Sequence, residues 1–105
     1  MSEEYTVASL SRQKRYTRAL IKFCVDHKNK SIYMDYIRDC LVALEADDVQ
    51  SAYNLYEQVP LGGNGCFNDW WPPVVFEYED ENYVWSVFES LVNLWSSSMR
   101  SLKLV

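Results

Sequence analysis

Apolar residues recur at helical spacing in four stretches of the chain, separated by two short polar breaks and one long irregular segment. From about Val7 to Asn29 no glycine or proline interrupts, and Leu10, Tyr16, Leu20, Phe23, Cys24 and His27 fall on one face. Arg12, Lys14, Arg15, Arg18 and Lys22 fill the opposite face. Apolar residues three and four apart are the signature of an amphipathic helix, so this stretch is predicted as a first helix with residues 1–6 frayed. Asn29-Lys30-Ser31 breaks the pattern, and Ser31 is a suitable N-cap for a second helix. There Tyr33, Tyr36, Ile37, Cys40, Leu41 and Leu44 form the inner stripe, with Asp35, Arg38, Asp39 and Glu45 outward. Asp47 or Asp48 can cap a third helix whose Val49, Ala52, Tyr53 and Tyr56 share a face. The last helix is predicted from about Asp80 to Leu102, buried through Val84, Val87, Phe88, Leu91, Trp95, Ser98 and Leu102. Tyr83, Trp85 and Leu94 are expected to widen that stripe.

Between the third and fourth stretches lies Pro60-Leu61-Gly62-Gly63-Asn64-Gly65-Cys66-Phe67-Asn68-Asp69-Trp70-Trp71-Pro72-Pro73, which holds every glycine and proline of the protein. Glycine opens positive φ and proline blocks helix continuation, so the unusual backbone conformations are expected to be gathered here. A connection this long in a small domain is more often functional than a mere link. Val74-Val75-Phe76-Glu77-Tyr78 follows as a short extended piece without a partner strand. The prediction is therefore an all-α bundle of about four helices, with a long ordered Gly/Pro/Trp loop between the last two. At 105 residues the chain is expected to form a single domain, 1–105.

Charge changes this picture, because the net −5 is unevenly spread. Residues 1–30 hold seven Lys/Arg against three acids, a formal +4; residues 31–105 hold three against twelve, a formal −9. From Asp39 to Glu89 there are eleven acids and no Lys or Arg. One reading pairs the basic first helix with the acidic remainder inside the molecule. The other is an acidic surface that attracts a basic partner. No apolar run is long enough to span a bilayer, and acidic Met1-Ser2-Glu3-Glu4 does not open a secretory signal. Three cysteines without close pairing fit a reducing cytoplasm better than a disulfide framework.

Several chemistries are weakly suggested. Cys24 and His27 have metal-ligand spacing, but Cys40 and Cys66 offer no second close pair, and no metal or other cofactor is expected. Cys66 in its glycine-rich turn has the look of a nucleophile, yet one distant histidine is the only available base. Gly62-Gly63-Asn64-Gly65 lacks the Lys-Ser/Thr of a phosphate loop and lies among acids. The carboxylates Asp69, Glu77, Glu79, Asp80 and Glu81 read as a solvated helix start rather than an acid/base pair. No catalytic residue is assigned. A nucleic-acid role would use Arg12, Arg15, Arg18 and Lys22 against an unfavourable overall charge. Protein binding has positive support: in extended backbone before Pro72, Trp70 and Trp71 point to opposite sides, and exposed aromatics dominate interface energies.

Two segments carry resemblances. Ala43-Leu44-Glu45-Ala46-Asp47-Asp48 followed by Ala52-Tyr53-Asn54-Leu55-Tyr56 looks like the inner turn of a tetratricopeptide helix pair; with no second copy, a tight αα-hairpin is expected rather than a solenoid. Gly62-Gly63-Asn64-Gly65-Cys66-Phe67-Asn68-Asp69, together with the preceding Leu-Glu-Ala-Asp turn, resembles small acidic helical bacterial proteins, some of them similar to immunity proteins of toxin systems. Those carry Gly-Gly-Met-Gly-Ser-Leu/Phe-Asn-Asp; here Asn64 stands for Met, Cys66 for Ser, and Trp70-Trp71-Pro72-Pro73 is added. The match covers roughly residues 40–70. It implies a cytoplasmic neutraliser that binds a toxin and performs no chemistry. On this reading the partner is a basic protein and the contacts are Asp69, Trp70, Trp71, Glu77, Glu79, Asp80 and Glu81. The alternatives are a nucleic-acid-associated regulator using the basic first helix, or a small cysteine-dependent enzyme using Cys66.

Overall fold

A computed structural model describes residues 2–62 and 65–103, with side chains from Leu10 onward. Four α-helices, α1 (Ser2–Asp26), α2 (Tyr33–Glu45), α3 (Val49–Glu57) and α4 (Glu81–Arg100), are joined by two tight turns and the long loop, which contains a 3-10 turn at Phe67–Asp69. Among the described residues there is no strand, and the molecule is an all-α bundle. No helix is long and apolar enough to cross a membrane.

α1 packs against both α2 and α4, and α3 closes the bundle by lying on α2 and, more lightly, on α4. Contacts at both ends show that α1 and α4 are antiparallel: Gln13 reaches Ser98 at one end, and His27 reaches Glu79 at the other. Leu20, Cys24, Ile37, Cys40, Leu44 and Trp95 are fully buried where the helices meet. The Trp95 ring meets the edge of Tyr56 at 5.1 Å, and Tyr56 shares a 2.6 Å hydrogen bond with Ser96. The Cys40 thiol donates to the Ala52 carbonyl at 3.5 Å, stitching the αα-hairpin of α2 and α3.

Helix limits differ from the periodicity in instructive ways. α1 already begins at Ser2, where fraying to residue 6 was expected, and Met1 lies outside the described residues. It stops at Asp26, three residues short of Asn29, because Lys28 enters the left-handed region at φ 63°. The Asn29 amide then donates back to the Cys24 carbonyl at 2.8 Å, the closing bond of a Schellman turn. α2 ends the same way: Asp47 has φ 57°, and the Asp48 amide donates to the Ala43 carbonyl at 2.9 Å. Unusual backbone is therefore not confined to the glycine loop, as the composition had suggested. The N-cap of α2 is Ile32 rather than the expected Ser31, whose hydroxyl still accepts the Tyr33 amide at 3.1 Å from just before the helix. Asp48, rather than Asp47, caps α3 by accepting the Ser51 amide at 3.1 Å. The Ser51 hydroxyl and amide hold its carboxyl below the usual range.

The stripes are also narrower than predicted. Tyr36, Tyr83, Trp85 and Leu94 are exposed, while Met34 takes the place expected of Tyr36. Gln13 and Thr17, polar residues outside the predicted apolar stripe, are fully buried. The Gln13 amide donates to the Ser98 carbonyl at 2.6 Å and to the Ser101 hydroxyl at 3.1 Å, and Thr17 donates to the Gln13 carbonyl. This polar seam pairs the Gln13 and Thr17 donors, while the Gln13 Oε1 is buried without a hydrogen-bond partner.

Candidate functional site

The loop after α3 is folded onto itself by one amide and one carboxylate side chain. Asn68 accepts the Gly62 amide at 2.8 Å, and Asp69 accepts the Gly65 amide at 3.2 Å. Both glycines need positive φ, 95° and 78°. The Phe67 amide donates to the Pro60 carbonyl at 2.9 Å, bringing the two ends of the segment together. Gly63 and Asn64, the centre of the suggested phosphate cradle, lie outside the described residues. Cys66 is half-buried, with its thiol donating to the Gly62 carbonyl.

Phe67 and Trp70 anchor this loop. Phe67 is buried against Phe88 at 5.6 Å, and the Trp70 ring meets Phe88 at 5.0 Å and Phe23 at 6.4 Å. Extended backbone at Trp70, φ −76° and ψ 137°, sends the next side chain the other way. Trp71 is accordingly 70% exposed and lies 6.0 Å from Trp85 on α4. Of the two neighbouring tryptophans, Trp70 is part of the anchor and Trp71 is a surface residue.

The next turn is held from below by a buried hydrogen bond between His27 and Glu79. His27 is stacked on Phe23 at 3.9 Å and edged by Phe76 at 5.7 Å. Its Nδ1–H donates to the Phe23 carbonyl at 2.8 Å and its Nε2–H to Glu79 Oε2 at 2.7 Å. Both ring nitrogens thus face oxygen atoms. Glu79 Oε1 accepts the amides of Val75 and Phe76 at 3.0 and 2.9 Å. Burial pushes this carboxyl up, but the Phe76 and Val75 amides and His27 outweigh it and hold the group below its ordinary value of 4.5. The side chains of His27 and Glu79 are 3% and 2% exposed. Glu79 is thus a correction to the expected acidic rim: its carboxylate is spent inside the protein and cannot face a partner. His27, predicted on the inner face of the first helix, pins the loop.

The remaining predicted contacts are exposed: Asp69, Trp71, Glu77, Asp80 and Glu81. Asp80 is also the N-cap of α4, accepting the Tyr83 amide at 2.8 Å. Two surfaces result, on opposite flanks of α4. On one, Glu81, Trp85 and Glu89 stand four residues apart on one helix face, all exposed, with Trp71 laid against Trp85. Trp85 and Glu89 were missed by the sequence reading, which assigned Trp85 to the core; their four-residue spacing from Glu81 was the available signal. On the other flank, Phe76 and Tyr78 stack at 5.8 Å and Tyr78 edges Tyr83 at 5.8 Å. There a groove of about 450 Å³ opens toward Arg18, Lys22 and Asp26 of α1.

The basic face of α1 is partly neutralised within the molecule. Arg18 pairs with Glu45 at 2.8 Å, Lys14 approaches Asp47 at 4.0 Å, and Lys22 pairs with Asp26 at 2.9 Å. Among the described residues, Glu57, Asp69, Glu77, Asp80, Glu81 and Glu89 form no ion pair. No group of three or more His, Cys, Asp or Glu side chains is arranged to hold a metal among the described residues. No protein-family model, curated protein or solved structure matches the chain.

Proposed function

We propose that this protein is a stoichiometric binder of another protein, of the immunity-protein kind, acting in a bacterial cytoplasm to neutralise a basic toxin or effector. The observation that carries the reading is the Trp71–Trp85 pair, exposed and flanked by Glu81 and Glu89, whose carboxylates have no cationic partner among the described residues. Large aromatics supply interface energy, and unpaired acids around them speed capture of a cationic surface. The loop resemblance described above supports the same reading. Asp69 and Asp80 border the contact surface; Trp70 and Glu79 hold it in place from within. Such a binder needs a preorganised face rather than reactive groups, which agrees with a loop fixed at one end by Trp70 and at the other by Glu79.

The test is co-expression with the product of the neighbouring gene. The expected result is a one-to-one complex and survival of the host cell. Trp71→Ala should weaken the complex by about 2 kcal/mol or more, the size of an interface anchor. Glu81→Lys with Glu89→Lys should slow association and flatten its salt dependence. A complex indifferent to all three substitutions, or none at all, would reject the proposal.

A further inference from the structure

The glycine loop has neither the lysine nor the hydroxyl residue that a phosphate-binding loop supplies, and the fold brings both to it from another part of the chain. Lys28, Lys30 and Ser31, in the turn between α1 and α2, share one concavity of about 510 Å³ with Asp69 and Trp70 of the loop and with Tyr33 of α2. That size is within the range of small-ligand sites. Buried groups hold both walls. Asn29, 9% exposed between the two lysines, accepts the Ser31 amide at 2.8 Å and fixes the turn. On the other side Phe67 and Trp70 rest on Phe88.

The chemistry of the walls defines the guest. Lys28 and Lys30 are exposed and form no ion pair among the described residues. Asp35, which borders a neighbouring concavity with the same lysines, is taken by Arg38 at 3.4 Å. The loop amides are spent internally, Gly62 on Asn68, Gly65 on Asp69 and Phe67 on Pro60, so an anion here is held by lysine side chains and not by a backbone cradle. Tyr33 and Trp70 are half-buried and offer ring surface on which a flat group stacks. Asp69 accepts the Gly65 amide through Oδ2, and its Oδ1 is left to accept from a ligand hydroxyl or N–H. The same carboxylate repels a phosphate, which sets the anionic end of a guest at the lysines. A phosphate, a planar ring and hydrogen-bond donors occur together in a nucleotide. We propose that this concavity binds a mononucleotide, with its phosphate at Lys28 and Lys30, its base against Tyr33 and Trp70, and a sugar or base donor on Asp69. The site meets the proposed partner surface only at Asp69, and its occupancy is measured without a partner.

Titration of the full chain with AMP and with UMP, followed by amide chemical shifts, tests this. The shifts should centre on residues 28–33 and 65–70 and leave the α4 amides around Trp85 and Glu89 in place. Adenosine, which has no phosphate, and inorganic phosphate, which has no ring, should each bind about tenfold or more weakly than AMP. Added salt should weaken AMP and leave adenosine unchanged. Lys28→Gln/Lys30→Gln should lower AMP affinity about tenfold with an unchanged far-ultraviolet spectrum, since both side chains are on the surface. Tyr33→Leu should weaken AMP without altering the binding of inorganic phosphate. The absence of shifts with both mononucleotides up to about 10 mM overturns the proposal. So does inorganic phosphate binding as tightly as AMP, or a double lysine variant that binds AMP undiminished. A 5′-phosphorylated RNA oligonucleotide binding about tenfold or more tightly than AMP would also overturn it, by making the concavity one part of a nucleic-acid surface.

Discussion

Cys24 and Cys40 show how a residue's neighbours decide its chemistry. Both are buried on helix faces, and burial pushes each thiol up to about 12; the Asn29 amide on the Cys24 sulfur offsets only part of this. A thiolate, not a thiol, attacks an alkylating or disulfide reagent. At pH 8 the native protein should therefore label at Cys66 alone, and Cys24 and Cys40 should react only at the rate of unfolding; mass spectrometry over a labelling time course distinguishes the sites. Rapid modification of either helix cysteine would show that the core opens locally. Gly62 is a residue of another kind, chosen for its backbone. A Cβ built there meets nothing within 4 Å, so space is not the constraint; φ of +95° is. Gly62→Ala should lower stability by about 1–2 kcal/mol, the cost of a left-handed backbone for an L-residue, read as a shift in the urea midpoint without loss of helicity.

Among the elements, the 70–80 turn depends on one side chain more than on its own sequence. With its folded carboxyl held below the ordinary 4.5, Glu79 contributes stability that is complete above that value and is lost as pH falls through the lower folded value. The wild type should therefore lose more stability between neutral pH and about pH 3 than Glu79→Gln does. Near neutrality the same substitution should speed hydrogen exchange at the Val75 and Phe76 amides while leaving the α1 and α4 amides protected. Equal acid sensitivity of the two proteins would remove Glu79 from this role. The four helices were legible because Leu20, Ile37, Leu44, Phe88 and Trp95 repeat at helical spacing, and a stripe of that kind has few alternatives to burial. The His27–Glu79 pair was not, because the partners are 52 positions apart and Glu79 stands in a run of acids where burial has no local signal. The helix ends at Lys28 and Asp47 were hidden for a different reason: residues other than glycine adopt the left-handed turn there, so composition gives no mark of it. The candidate surface was legible in part, since extended backbone before Pro72 separates Trp70 from Trp71, but which of them turned inward depended on Phe23 and Phe88, supplied by two distant helices.

Across the whole molecule the division of charge has two separable consequences. Part of it is internal: Arg18 and Lys14 on α1 face Glu45 and Asp47 at the end of α2, tying the two helices across their surface. Exposed pairs of this kind contribute about 0.2–1 kcal/mol each, so Arg18→Glu should destabilise by up to about 1 kcal/mol by losing the pair and setting two carboxylates together. Adding Glu45→Arg should restore most of that loss, since the pair is then rebuilt in reverse. Arg12 and Arg15 are exposed and form no ion pair among the described residues, so reversing them should leave the urea midpoint close to that of the wild type. If the Arg12→Glu/Arg15→Glu variant lost as much as Arg18→Glu, general repulsion in an acidic molecule, not the specific cross-helix pair, would be the governing effect. The acids from Glu57 to Glu89 belong to the other part. Of these, Glu57, Glu77, Glu81 and Glu89 form no ion pair among the described residues, whereas Glu79 is bonded to His27, and the unpaired ones raise self-repulsion. A surface that adds to the cost of folding without a compensating internal contact is the portion of the charge that function, rather than stability, must account for.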